Sequence, residues 1–142
     1  MMTVRSITAD DMPLLQGWAK KRGCFLSPEI LSPHGMLAEL DNKPLMCAWA
    51  AMILDTPFIE VDHVYASPRV TKKTGVSAWA ALIAFFRSWM HQINEAGGQQ
   101  VTAIKIAMNA QMSPYAKKTG GNVGNMPLLN CIYTLKEVSH GA

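Results

Sequence analysis

"VYASPRVTKKTGVSAW", residues 64–79, joins an apolar strand pattern that halts at Pro68 to a helical pattern bearing Trp79. Between them stand Lys72, Lys73, Thr74, Gly75, Val76 and Ser77, basic and small residues at the mouth of a helix. A helix start carries unpaired backbone N–H groups and the positive end of the peptide dipoles, so it attracts phosphate oxygens. Gly75 lets a ligand approach the backbone closely, and the two lysines add charge suited to a pyrophosphate. The same residues also read as a solvated basic loop, because short charge runs usually mark an exposed face.

Downstream, residues 76–96 give the strongest helical signal. Trp79, Leu82, Ile83, Phe86, Met90 and Ile93 share one stripe, with Phe85 and Trp89 beside it. This pattern predicts a deeply buried helix ended by Gly97-Gly98, and its Trp and Met residues read as core rather than as a cofactor box. Upstream, residues 3–8 read as a strand, and a helix capped by Asp10 runs to Gly23. A short helix starts at Ser27 and closes at Pro33. Residues 36–40 and 45–54 form a hairpin about Asp41-Asn42-Lys43, and 58–66 add a third strand. Residues 101–108, 110–118 and 128–138 read as strand, short helix and strand. The order β-α-α-β-β-β-α-β-α-β predicts an α/β fold (α+β in stricter usage), one mixed, mostly antiparallel sheet flanked by helices.

Composition bounds the function. The 142 residues suit a single domain over 1–142, and 49% hydrophobic against 16% charged residues describe a globular protein. A net charge of +3, with Lys20-Lys21-Arg22 and Lys117-Lys118 as further short clusters, is too mild for a nucleic-acid partner. Ten methionines suggest one packed face, hence a homodimer or docking to a larger assembly. Cys24, Cys47 and Cys131 have no CxxC spacing, which argues against a disulfide framework or a zinc site and suits a reducing compartment. His34, His91 and His140 lack metal-ligand spacing with them, so no metal is assigned. With no signal-peptide pattern and no apolar run of about 18 residues, the expectation is a cytoplasmic protein without a membrane partner. Neither G-x-S-x-G nor a Walker A motif is present.

The strand at 58–66 carries the useful polar residues. Period-2 alternation places Phe58, Glu60, Asp62 and Val64 on one face, with Ile59, Val61, His63 and Tyr65 on the other. Two carboxylates on one face of a central strand either line a cleft or pair with nearby Lys or Arg. His63 reads as a packed, hydrogen-bonded residue.

The Lys72–Ser77 stretch resembles the acetyl-CoA loop of the GNAT superfamily of acyl-CoA N-acyltransferases, Q/R-x-x-G-x-G/A after the fourth strand. Lys72 stands for Gln or Arg and Ser77 for Gly or Ala. The resemblance spans nearly the whole chain, with "VRSITADDMPLLQGWA" similar to the first strand and helix and "SPYAKKTGG" to the last helix and glycine turn. It implies an N-acetyltransferase that moves an acetyl group directly from acetyl-CoA to an amine acceptor, small molecule or protein. It implies a sheet splayed open between residues 58–66 and 101–108, with residues 23–36 shaping the acceptor pocket. Glu60 or Asp62 would be the general base, because an amine of pKa about 10.4 is protonated at pH 7 and cannot attack a thioester. Tyr115, one residue early in the F-Y-x-K-x-G-F pattern, would protonate the coenzyme thiolate. The backbone at Val64, Tyr65 and Ala66 would hold the thioester and pantetheine, Lys72 to Ser77 the phosphates, and Asn109 the pantetheine arm. GNAT-like folds also occur as catalytically silent proteins, including phage-particle components, and that is the alternative.

Overall fold

The computed structural model describes residues 1–97, 99–108, 113–123 and 129–134. Strand β1 (Met2–Ser6) pairs antiparallel with β2 (His34–Leu40), and β2 with β3 (Lys43–Met52). The β2–β3 connection is only Asp41-Asn42, with φ of 49° and 66°. Positive φ at both central positions is the requirement of a type I′ hairpin turn, and Asp and Asn tolerate it better than other side-chain-bearing residues. Strand β4 (Phe58–Ala66) follows a turn at Asp55, and helix α2 (Lys72–Glu95) supplies the crossover that a parallel pair requires. It leads to β5 (Ala103–Met108), parallel to β4. Helix α3 (Ser113–Lys118), β6 (Asn122–Val123) and β7 (Leu129–Thr134) complete the described elements. Among the described residues the sheet has seven strands in the order β1-β2-β3-β4-β5-β7-β6, with β5–β7 and β6–β7 antiparallel.

The expected mixed, mostly antiparallel α+β architecture is therefore present, with boundaries moved. Strand β6 was not expected, since two residues carry no periodicity. The long helix begins at Lys72 rather than Val76. No helix among the described residues is long and apolar enough to cross a membrane.

The chain divides into two compact units. The first comprises Met1–Ala50 and Asp62–Leu82. Helix α1 (Met12–Lys21) buries Leu15, Trp18 and Ala19 against Leu26, Leu37, Cys47 and Trp49. It ends at Gly23, φ 72°, where the Cys24 N–H donates to the Ala19 carbonyl at 3.0 Å and the Gly23 N–H to Lys20 at 3.0 Å, a left-handed glycine cap. Its start differs from expectation. Asp11, not Asp10, organises the entry: Asp11 Oδ2 accepts from the Thr8 N–H at 2.8 Å and from Thr8 Oγ1 at 3.1 Å.

The second unit comprises Ala51–Val61 and Ile83–Ala142. Ile59, Val61, Ile83, Phe86, Met90 and Ile104 are buried there. The Asn94 amide clamps the turn after α2, with Nδ2 donating to the Val101 carbonyl at 2.7 Å and Oδ1 accepting the Val101 N–H at 2.6 Å. The Arg87 guanidinium lies 5.1 Å from the Tyr133 ring centroid, and the Tyr133 hydroxyl sits 2.7 Å from Thr119 Oγ1.

Candidate functional site

The first turn of α2 is built by two threonines. Thr71 Oγ1 accepts the Thr74 N–H at 3.2 Å, and Thr74 Oγ1 accepts the Thr71 N–H at 3.0 Å, a reciprocal cap made by a T-x-x-T sequence. The Gly75 N–H donates to the Thr71 carbonyl at 2.8 Å, which is the first rung of the helix. Val76 and Ser77 follow inside α2. The stretch expected as a phosphate-binding loop is thus helical from Lys72, because Thr71 caps it there. Of its six amides, those of Lys72 and Lys73 have no acceptor among the described residues. Both lysine side chains are exposed, and Gly75 is buried beneath them in sequence. Two open amides, two ammonium groups and a side-chain-free position are chemistry that fits a diphosphate.

Strand β4 departs from simple alternation. Ile59 and Val61 are buried while Glu60 and Asp62 are half-buried, as expected. His63 then adopts φ 49°, in the left-handed region that a side-chain-bearing residue rarely occupies within a strand. The two-face assignment therefore fails beyond Asp62. His63 Nδ1 lies 3.0 Å from Asp62 Oδ1, yet the two atoms lack hydrogen-bond geometry. Both are buried and have no other partner among the described residues, an arrangement that costs stability unless a ligand or water completes it. Asp62 Oδ2 is fixed independently by Ser32 Oγ, which donates to it at 2.9 Å.

The remaining expected residues are placed as follows. Glu60 stands opposite Lys105 in the β4–β5 register, which runs from Phe58–Ala103 to Val61–Ile106, and it forms no ion pair among the described residues. The Tyr65 side chain packs against the α1 core. Burial pushes the Cys47 thiol up to about 12. The Tyr65 phenol is raised to about 12, first by burial and then by the neighbouring Cys24. Tyr115 is half-buried on α3. Asn109 lies outside the described residues, as does His140. Among the described residues no cluster of His, Cys, Asp and Glu could hold a metal.

Sequence reasoning missed Ser32 and the proximity of His63 to Asp62. It also missed the form of a cavity of about 330 Å³ lined by Ile7, Thr8, Met12, Leu31, Ser32 and Trp49, among others. This volume stands at the small end of ligand pockets, about 300–1,000 Å³. Gly35 forms part of its wall, and a Cβ built there would meet Trp49 Nε1 at 2.4 Å. A glycine opposite a tryptophan in adjacent strands was the available signal.

No family model and no curated protein matches the chain. Solved structures do. The chain is similar to aminoglycoside acetyltransferase AAC(6')-Ib in complex with coenzyme A, with a TM-score of 0.69 and 15% identity over 99% of this chain and 98% of that one. It is similar to the ribosomal-protein-S18-alanine N-acetyltransferase from Escherichia coli at a TM-score of 0.58 and 14% identity, over 93% and 91% of the two chains. It also matches N-acetylglutamate synthase from Neisseria gonorrhoeae, complexed with coenzyme A and N-acetyl-glutamate, at a TM-score of 0.65 and 15% identity over 95% of this chain. The match spans 35% of that synthase's length. The fold of this chain is the GNAT acyltransferase fold.

Proposed function

We propose that the protein is an acetyl-CoA-dependent N-acetyltransferase acting on an amine by direct transfer. The observation that carries this reading is the β4–α2 junction. It offers two open amides and two exposed lysines, in a fold otherwise shared with transferases crystallised with coenzyme A. The diphosphate rests on the amides and ammonium groups of Lys72 and Lys73. The main chain at Tyr65 and Ala66 supplies the donor for the thioester oxygen.

Asp62 is the better base of the two carboxylates. Its Oδ1 has no hydrogen-bond partner among the described residues and its Oδ2 is held by Ser32, whereas Glu60 lies in the paired register beside Lys105. Asp62 takes the proton from the ammonium, directly or through water. The amine nitrogen then attacks the thioester carbonyl and loses its second proton to water, the C–S bond breaks, and water protonates the departing thiolate. The products are the N-acetylamine and free coenzyme A. A specific observation favours the alternative, a catalytically silent GNAT-fold protein: Thr71 occupies the Thr74 amide.

Calorimetric titration with acetyl-CoA tests the choice. Micromolar binding that weakens in Lys72→Ala/Lys73→Ala and in Gly75→Leu supports the transferase. Asp62→Asn is then expected to keep coenzyme affinity and to lose about 100-fold or more in kcat, the usual worth of a general base. Silence at millimolar coenzyme would leave the docking protein.

A further inference from the structure

We propose that the acceptor is a small monoamine with an apolar body, seated in the cavity over Trp49 with its ammonium at the Ser32–Asp62 end. This assignment rests on the acetyl-transfer reading and narrows it. The wall is made of Ile7, Met12, Leu31 and Trp49, and the polar groups of the lining side chains are the hydroxyls of Thr8 and Ser32 and the Trp49 indole N–H. No ionisable side chain lines the cavity. A polycation such as an aminoglycoside needs several carboxylates, and two acids of this unit are already engaged. Arg5 donates to Asp11 through Nη1 and Nη2 at 2.8 Å each and to Glu39 through Nε at 2.8 Å.

Behind Ser32, though not on the wall itself, stands the carboxylate of Asp62. Ser32 lines the cavity and gives its only proton to Asp62 Oδ2, so its lone pairs are left to accept from an ammonium. Asp62 Oδ1, with His63 Nδ1 3.0 Å away, accepts no hydrogen bond among the described residues. Trp49 is 4% exposed, and its indole Nε1 has no acceptor among the described residues. A single positive charge at one end and an aromatic or branched aliphatic body at the other matches that distribution. About 330 Å³ suits a body of roughly a dozen heavy atoms and not a linked set of sugar rings.

The test is ligand-observed saturation-transfer NMR on the full chain without coenzyme, with tryptamine, cyclohexylmethylamine, spermidine and kanamycin in competition. The two apolar monoamines are expected to bind at least tenfold more tightly than the two polycations. Leu31→Asp is expected to abolish that preference and Ser32→Ala to weaken the monoamines several-fold, while Phe25→Ser, on a side chain 84% exposed and away from the wall, changes nothing. If Leu31→Asp does not fold, Ser32→Ala carries the test. Equal or tighter binding of spermidine or kanamycin overturns the assignment, as does an unchanged monoamine affinity in Ser32→Ala. Because coenzyme is absent, failure here is separable from failure of acetyl-CoA to bind, which sinks the transfer reading instead.

Discussion

Gly35 and Trp49 are partners in the β2–β3 ladder, and the indole lies where a side chain at 35 would stand. A methyl group at Gly35 would come within 2.4 Å of Nε1 and 2.8 Å of Cδ1 of a tryptophan that is itself buried. Gly35→Ala is therefore expected to destabilise the fold by about 1–3 kcal/mol, the usual cost of overpacking, seen as a lower urea midpoint at unchanged slope. An unchanged midpoint would mean the indole moves freely. Asp11 supports a second expectation. The Arg5 guanidinium beside it holds its carboxyl well below the ordinary carboxylate range, so its contribution is complete above pH 4 or so and is lost as pH falls through the depressed folded value. Hydrogen bonds to charged groups are worth about 2 kcal/mol, so Asp11→Asn is expected to cost about that at pH 7 and to flatten the acid limb of stability against pH. A mutant with an unaltered acid limb would refute the assignment. Neither contact is legible in the sequence. Only the β2–β3 register sets Gly35 beside Trp49, and only the turn at Thr8 brings Asp11 back to Arg5.

At the scale of elements, the start of α2 decides how the fold serves its site. Thr71 and Thr74 satisfy each other's backbone amides, which fixes the helix start at Lys72 and leaves the next two N–H groups outward. Thr71→Ala is expected to cost about 1 kcal/mol through the lost cap. Thr71→Asp keeps an acceptor for the Thr74 amide and should restore stability, but its charge beside Lys72 should weaken any bound diphosphate. A thermal or urea midpoint and a coenzyme titration on the same pair of variants separate the two effects. Much at this scale was readable. The Asp41-Asn42 hairpin, the glycine stops of α1 and α2 and the apolar stripe of α2 depend on local backbone preference and period, which sequence displays. The first turn of α2 was misread as loop because Lys-Lys-Thr-Gly has weak helical character, while the cap that overrides it lies one residue earlier. The left-handed His63 was illegible for a different reason: histidine has no strong bias toward that conformation, so only the surrounding strands can impose it. The order of elements was enough for the fold class, and residue type and position alone put Glu60, Asp62, Lys72 and Lys73 forward as candidates. Ser32 and the Trp49 cavity were not, since they arise where a connection of irregular backbone meets a sheet.

Over the whole molecule, 15% identity accompanies a TM-score of 0.69, so what the chain shares with AAC(6')-Ib is a backbone arrangement and few side chains. A backbone shared at that identity keeps main-chain donors in place more than it keeps side chains. If acetyl-CoA binds the folded chain alone, it must stabilise it by mass action, about 2.7 kcal/mol at a concentration of 100 Kd. For a chain of this length that corresponds to a rise in Tm of roughly 8 °C. The lysine share of the shift is electrostatic at exposed groups, so raising ionic strength from about 0.05 M to 0.5 M, which shortens the screening length severalfold, should remove much of it. The amide share should persist at high salt. Coenzyme A lacking the acetyl group should shift Tm similarly, because the diphosphate contacts are the same, whereas dephosphorylated pantetheine should not. A shift from pantetheine equal to that from coenzyme A would place the binding energy away from Lys72 and Lys73. No shift from any of them would assign this fold to a protein that keeps the scaffold for docking.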